Sequence, residues 1–299
     1  MLRKKILFTL DKLNLWLGLK FFNNFNLLSY NLFNKIYKKN ICNKYYLKYD
    51  FISKYANEGF SKLGNVSSND INDLLKLLNS NNNPQPGNDN QYNYSLNENT
   101  TNLIKKIIDI NILDKIRILE GYYNLKIVLA NIKVARNYNV PHHDIKKESY
   151  SNFFHSDGYL FNLFKIFINL EDIDRSQGPL IIVKKNKAKN FFKFYNYTGR
   201  KHCEISKNTE SFFYVNDGKK GDILLCDTTE LMHKAGEIME NKKRDMLFLE
   251  FAAYPLDRNT DIYAYQNEFK NNINMKFSKI AGIKNLINFY FLCKKNKLS

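Results

Sequence analysis

The chain has 299 residues, of which 46 are Lys or Arg and 29 are Asp or Glu, so its formal net charge is +17. Hydrophobic residues make up 44% and aromatic residues 15% of the chain, which supports a substantial core and excludes a globally disordered protein. No uncharged apolar run approaches the roughly 18 residues of a membrane span. The 4 cysteines are widely spaced and match neither a disulfide scaffold nor a zinc knuckle. We therefore expect a folded, cytoplasmic protein.

The positive charge by itself does not identify a partner. Lys supplies nearly all of the excess and Asn is about equally abundant, a bias that favours compositional drift over a binding surface. We therefore predict a small-molecule substrate and no specific nucleic-acid partner. An amphipathic pattern near the N-terminus leaves a peripheral membrane contact open as an alternative.

The N-terminal region, residues 1–120, is predicted to be helical and packed on the core. Within it, residues 79–100 are rich in Asn, Pro, Gln and Gly and predict a loop. A basic extension at residues 258–299 is predicted to be helical as well. Apolar residues at helical spacing run from Ile6 to Leu32, from Ile71 to Leu78 after a cap at Ser67, from Leu103 to Leu113 after Thr100, and from Ile280 to Phe291.

Residues 121–257 show an extended pattern and are predicted to form the catalytic core. Short apolar runs alternate with turns that contain Gly, Pro, Asn and Asp. No amphipathic helix interleaves these runs, which favours an antiparallel sandwich or barrel over a parallel sheet. The predicted fold is therefore mainly β with flanking helices. The predicted strands are Lys126 to Ala135, Asn162 to Leu170, Pro179 to Val183, Ser211 to Val215, Asp222 to Cys226 and Met246 to Ala253.

Three residues in this core form a candidate metal site. His155 and Asp157 are two residues apart at the edge of an extended run, so that both side chains can project from one face. His233 follows the strand that ends at Cys226 and can supply a second imidazole. Two imidazoles and one carboxylate leave one side of an octahedral ion open, which suits non-haem Fe(II) that binds a cosubstrate and dioxygen.

A second His-x-Asp pair, His142 and Asp144, competes with the first. It follows Pro141 in a polar, charged stretch, whereas His155 and Asp157 precede the strongest strand pattern in the chain. We therefore interpret the earlier pair as part of a loop near the cavity. Ordinary core or surface histidines remain the alternative for every pair of this kind.

An iron site that activates dioxygen also needs two electrons, which a bound 2-oxo acid can supply. The far carboxylate of that acid needs a buried cation, and Arg244 lies 11 residues beyond His233 across a polar hairpin. Its strand is mostly apolar on both faces, which favours an inward Arg whose planar fork can hold a carboxylate. The alternative is a surface Arg, because Lys242 and Lys243 precede it.

The strand from Asn162 to Leu170 adds two further candidates. Lys165, Phe167 and Asn169 share one face, and a Lys in an apolar strand needs either an anionic partner or a place at the rim. We predict that Lys165 contacts the cosubstrate or a substrate acid and that Phe167 forms a wall of the pocket. Weaker candidates for substrate contact are Arg136, Tyr195, Tyr197 and Arg200.

Three blocks together resemble a known family. FFHSDGYLFNLFKIFINLEDIDRSQGPLIIV, GKKGDILLCDTTELMHKAG and KRDMLFLEF occur in this order and resemble the phytanoyl-CoA dioxygenase-like branch of Fe(II)/2-oxoglutarate-dependent oxygenases. The resemblance implies a double-stranded β-helix, a variant of the jelly roll, in which His155, Asp157 and His233 bind iron and Arg244 holds 2-oxoglutarate. It also implies hydroxylation of an unactivated carbon in a small-molecule or lipid-like substrate, with release of succinate and CO2.

The sequence departs from that family at one place and leaves rival functions open. Where many members have a Pro-Gly-Ser-His turn, this chain has Val183 to Lys187. The carboxylate of Asp157 disfavours halogenation, and Glu250 occupies the place of a second Arg typical of oxidative nucleic-acid repair enzymes. A cupin-like metal enzyme that does not use 2-oxoglutarate, or a non-catalytic jelly-roll binding protein, remains an alternative.

Overall fold

The computed structural model describes residues 42–80, 85–86, 91–139, 148–157, 163–197, 199–200, 202–254 and 259–263. Five α-helices lie in this part of the chain, four of them before the core. They are α1 (Asp50–Glu58), α2 (Ser68–Ser80), α3 (Glu98–Asn111), α4 (Leu113–Tyr123) and α5 (Ala188–Phe194). None of the described helices is long and apolar enough to cross a membrane.

In the described ranges, ten strands form two antiparallel sheets. The larger sheet has the order β1-β8-β5-β10-β4-β3-β2 and the smaller sheet the order β7-β6-β9. The strands are β1 (Phe60–Asn65), β2 (Gln85–Pro86), β3 (Gln91–Asn93), β4 (Lys126–Tyr138), β5 (Leu163–Asn169), β6 (Leu180–Val183), β7 (Phe213–Asn216), β8 (Asp222–Cys226), β9 (His233–Ala235) and β10 (Lys243–Tyr254).

The two faces of the larger sheet pack against different layers. On β5, Phe164, Ile166 and Ile168 belong to a core shared with the helices, whereas Phe167 belongs to a core shared with Leu180 and Ile182 of the smaller sheet. Both faces are apolar because both are covered, which explains why β5 and β10 are nearly continuous hydrophobic runs. The face toward the smaller sheet carries the polar residues discussed below.

Most predicted elements are present, with shifted ends. All six predicted strands occur, although Ser211 and Phe212 lie in a 3-10 turn before β7 rather than in the strand. Helix α2 begins as expected, since Ser67 Oγ accepts a hydrogen bond from Asp70 N at 3.1 Å. Helix α3 begins earlier than predicted, because the cap is Asn97, whose side chain accepts from Thr100 N.

Three strands, β1, β2 and β3, lie in the N-terminal region that was predicted to be helical with a loop. β1 pairs with β8 at one edge of the larger sheet, and β3 pairs with β4 inside the predicted loop. The apolar patterns Ile6 to Leu32 and Ile280 to Phe291 and the pair His142 and Asp144 lie outside the described residues. The division into domains therefore stays a prediction.

Candidate functional site

Backbone hydrogen bonds bring the three predicted metal ligands together. The segment that carries His155 pairs with β9, since His155 N donates to His233 O at 3.0 Å and His233 N donates to His155 O at 2.8 Å. Asp157 N donates to Thr228 O at 2.9 Å in the connection that follows β8. The chain thus places two distant histidines side by side through main-chain geometry alone.

The three side chains converge on one point. Asp157 Oδ1 lies 3.8 Å from His155 Nε2 and 3.9 Å from His233 Nε2, and one ligand atom from each residue falls within 4.8 Å of the others. Neighbouring ligands of an ion with bonds of about 2.1 Å lie about 3 Å apart. Closing the set around a metal therefore requires movements of about 1 Å.

Each imidazole is oriented by a backbone carbonyl. His155 Nδ1 lies 2.8 Å from Phe153 O, and His233 Nδ1 lies 3.0 Å from Leu231 O. A carbonyl can only accept, so each Nδ1 carries the proton and each Nε2 presents its lone pair toward Asp157. Such outer hydrogen bonds are typical of histidines that bind metals.

The electrostatics of the site keep the three ligands in the protonation states that bind a cation. Burial, with a smaller contribution from His233, lowers the pKa of His155 to about 3, and burial also lowers the pKa of His233. Burial acts to raise the pKa of Asp157, but His233 and Lys165 outweigh it and hold that pKa at about 2. At neutral pH the set is two neutral imidazoles and one carboxylate, the protonation state that metal binding requires.

The three ligands line a cavity of about 150 Å³ between the two sheets. Leu180 of β6, Ala235 of β9 and Phe167, Met246 and Phe248 of the larger sheet supply its apolar walls. The remaining walls are polar or charged and come from strands and from the loop before His155: Gln91, Asn131, Lys133, Tyr150, Ser151, Lys165, Arg244 and Glu250.

Arg244 enters this cavity as a buried cation without a counter-ion. The residue is 3% exposed, its Nη1 donates to Gly178 O, and its Nε has no hydrogen-bond partner. In the described part of the chain no carboxylate lies within ion-pair distance of it. Burial lowers the pKa of Arg244 to about 10, so the guanidinium stays charged at neutral pH. An unpaired buried charge of this kind is costly, and a bound anion would offset the cost.

Lys165 and Phe167 line the cavity, but Lys165 already has a partner. Its Nζ lies 2.7 Å from Asp157 Oδ2. Burial acts to lower the pKa of Lys165, but the carboxylates of Asp157 and Glu250 outweigh it and raise that pKa. Phe167 packs edge-on against Phe248 with ring centroids 5.5 Å apart. The contact of Lys165 with a cosubstrate stays a prediction.

The weaker candidates for substrate contact are not among the residues that line the cavity, and each has a structural partner, so their contact with a substrate stays a prediction. Arg136 points to the opposite face of the sheet and forms a bidentate ion pair with Asp245. Its Nε donates to Oδ1 at 2.7 Å and its Nη2 donates to Oδ2 at 2.6 Å. The hydroxyls of Tyr195 and Tyr197 donate to backbone carbonyls at 2.6 Å each. Arg200 pairs with Glu148 at 3.3 Å.

Several residues of the site had no clear signal in the sequence. Gln91 lies in the predicted loop, and it reaches the cavity because β3 adds to the edge of β4. Tyr150 and Ser151 line the cavity from a turn in which both have positive φ angles, 39° and 62°. Asn131 and Lys133 share an inward face of β4, which alternation along that strand could have identified.

Comparisons with known proteins support the fold. No protein-family model matches the sequence and no curated protein is detectably similar to it. HygX from Streptomyces hygroscopicus, solved with nickel and 2-oxoglutarate bound, has a TM-score of 0.51 and 14% identity over 68% of this chain and 86% of its own. The epimerase SnoN from nogalamycin biosynthesis, described as non-heme and alpha-ketoglutarate-dependent, has a TM-score of 0.47 and 10% identity over 68% of this chain and 82% of its own.

ThoJ, described as a non-heme monooxygenase, matches with a TM-score of 0.47 and 12% identity over 83% of this chain and 97% of its own. At these identities the likeness to HygX establishes the fold alone. The predicted mainly-β core with flanking helices is thereby confirmed as a jelly-roll fold of the kind found in 2-oxoglutarate oxygenases.

Proposed function

We propose that this protein is an Fe(II)- and 2-oxoglutarate-dependent oxygenase. The observation that carries the proposal is the pairing of two features in one cavity. A set of two imidazoles and one carboxylate converges on a point, and the buried guanidinium of Arg244, which has no counter-ion among the described residues, lines the same space. A metal-binding diacid fits both features at once.

The three converging residues fit a catalytic transition metal better than a structural one. Structural zinc sites use four protein ligands, commonly with thiolates, whereas His155, Asp157 and His233 supply three and face a cavity. Three protein atoms on one side of an octahedral ion leave adjacent positions for small molecules. We assign Fe(II) because the 2-His-1-carboxylate set is typical of non-haem iron oxygenases.

The second part of the proposal concerns 2-oxoglutarate. Arg244 would bind its distal carboxylate, through donors that the fold leaves available, and its keto acid end would bind the metal. Once bound, iron, 2-oxoglutarate and dioxygen would together supply the oxidising power, with release of succinate and CO2. The bound 2-oxoglutarate of HygX agrees with this assignment.

The protein's own residues would orient and shield the reactants. The carbonyls of Phe153 and Leu231 fix the tautomer and direction of each imidazole. Phe167 and Phe248 exclude water from one side of the cavity, which strengthens the interactions of charged groups inside it. We place the chain in the phytanoyl-CoA dioxygenase-like branch on its sequence blocks, with hydroxylation as the proposed reaction.

The chemistry of the walls favours a polar substrate over a lipid. Gln91, Asn131, Lys133 and Glu250 line the part of the cavity on the β4 side. A hydrocarbon chain against this wall would remove the charged groups of Lys133 and Glu250 from water and offer them no polar contact in return, which is costly. We therefore propose a small molecule rich in hydroxyl, amine or amide groups.

Anaerobic titration with Fe(II) and 2-oxoglutarate, followed by visible absorption, tests the proposal. We expect a charge-transfer band that requires both components, disappears in His155→Ala and persists in His202→Ala. His202 is a suitable control because it is a histidine outside the converging set. If folded, metal-loaded wild type gives no band, the site belongs to a metal enzyme without 2-oxoglutarate. If His155→Ala keeps the band, the assigned ligands are wrong.

A further inference from the structure

A row of polar residues crosses three neighbouring strands beside the candidate metal site. Lys165 on β5 lies directly opposite Glu250 on β10, and Glu250 lies directly opposite Asn131 on β4. All three line the cavity. The row ends at Asp157, whose carboxylate contacts Lys165. Charges therefore alternate along it: carboxylate, ammonium, carboxylate, then a neutral amide.

The two oxygens of Asp157 have different neighbours. Oδ1 faces Nε2 of both histidines, at 3.8 and 3.9 Å. Oδ2 lies 2.7 Å from Lys165 Nζ. The contact is an ion pair by distance, without the geometry of a hydrogen bond. A carboxylate held this way presents a single oxygen to a metal, because its second oxygen faces the ammonium group.

We propose that Lys165 is a positioning residue that restricts Asp157 to one metal bond and so keeps an additional coordination position open. The inference rests on the proposed function, which needs adjacent open positions for a keto acid and for dioxygen. A carboxylate with a free second oxygen can bind an ion through both atoms. To bind in this way, the Asp157 carboxylate would have to turn its Oδ2 from Lys165 toward the metal, and the ion pair with the ammonium group opposes that rotation.

Glu250 keeps Lys165 in the row. Lys side chains at the edge of a cavity extend to water when nothing holds them, yet the Lys165 side chain is only 24% exposed. The carboxylate of Glu250, opposite it in register, attracts the ammonium toward the sheet, while Asp157 attracts it toward the metal site. This role differs from the predicted contact between Lys165 and a cosubstrate, because it operates with the metal alone.

Water relaxation by bound Mn(II) measures the number of open positions without any cosubstrate. Mn(II) is divalent and octahedral, so three protein atoms leave about three waters on the ion, and a second bond from Asp157 would leave about two. We expect Lys165→Met to lower the relaxation enhancement per bound Mn(II) by about one third. Lys165→Arg should restore it, and Lys133→Met should not change it, because Lys133 lines the same cavity but hydrogen-bonds to Gln91.

Equal enhancement in wild type and Lys165→Met, at one bound ion each, would overturn the inference. If Lys165→Met does not fold, the crystal structure of Mn(II)-loaded wild type decides instead. Lys165 on Oδ2 with only Oδ1 bound to the ion supports the role, and two bound oxygens refute it. Adding 2-oxoglutarate to wild type separates the two proposals. No further loss of water on its addition would refute the proposed function and leave the Lys165 comparison intact.

Discussion

Replacing Arg244 should weaken 2-oxoglutarate binding and leave the fold unharmed. In Arg244→Met the distal carboxylate would lose its cation inside a cavity where Arg244 is 3% exposed. Truncating one partner of a buried, hydrogen-bonded charge pair costs about 2–5 kcal/mol. A central value of about 3 kcal/mol corresponds to a dissociation constant about 150-fold higher. Arg244→Lys keeps the positive charge but loses the two-pronged guanidinium contact. We expect its dissociation constant for 2-oxoglutarate to rise about tenfold.

The stability of the unliganded protein should stay the same or rise in Arg244→Met, although its affinity for 2-oxoglutarate falls. Wild type buries a guanidinium whose Nε has no partner and whose pKa burial lowers to about 10. An unpaired buried charge is costly, so an apolar side chain of similar length at this position should be neutral or stabilising. Arg244→Met should therefore melt at the same temperature as wild type or higher, while binding 2-oxoglutarate poorly.

The assay is the anaerobic Fe(II) titration, run with two ligands. 2-Oxovalerate has the keto acid and the five carbons of 2-oxoglutarate but no distal carboxylate. Wild type should prefer 2-oxoglutarate strongly, and Arg244→Met should bind the two almost equally. Arg175→Met is the matched control, because Arg175 is an exposed Arg paired with Glu210. A variant at position 244 that binds 2-oxoglutarate within about threefold of wild type would refute the reasoning.

Three further predictions concern the parts around the site. Asp245→Asn leaves the side chain of Arg136 without its charge partner, so urea unfolding should show a loss of about 3 kcal/mol, and a loss below about 1 kcal/mol would contradict this. Gly178→Ala places a Cβ 2.4 Å from Gly236 O at a φ of +65°, so its unfolding free energy should fall by about 2 kcal/mol relative to Gly199→Ala, which meets nothing within 4 Å. Mn(II) at about 100 times its dissociation constant should stabilise wild type by about 2.7 kcal/mol in thermal unfolding, and equal stabilisation of His233→Ala would place the ion elsewhere.

The fold was predictable where apolar patterning was strong. β5 and β10 are covered on both faces, so their sequences are continuous apolar runs with few polar interruptions. Three of those interruptions, Lys165, Arg244 and Glu250, line the cavity, whereas Asp245 pairs with Arg136. A charge inside a buried strand is energetically unfavourable unless it has a role or a partner. Lys165 and Arg244 could therefore be singled out from the sequence.

Other features depended on long-range pairing and were not predictable. β1 has only two large apolar residues, Phe60 and Leu63, and its pairing with β8 contains a register shift between Lys62 and Gly64. β3 is three polar or aromatic residues long and is defined by its partner strand. The partner of Lys165 could not be identified from the sequence, because it depends on where the separate segment of Asp157 lies beside β5.

Oxidative decarboxylation of 2-oxoglutarate tests the central claim most directly. Protein loaded with Fe(II) in air should release labelled CO2 from 2-oxoglutarate carrying the label at C1, together with an equal amount of succinate. In Asp157→Ala, CO2 release should fall to the level given by free Fe(II). Asp73→Ala, which alters an exposed carboxylate on α2, should release as much CO2 as wild type. Wild type that binds iron and 2-oxoglutarate yet releases no CO2 above free Fe(II) would contradict the account.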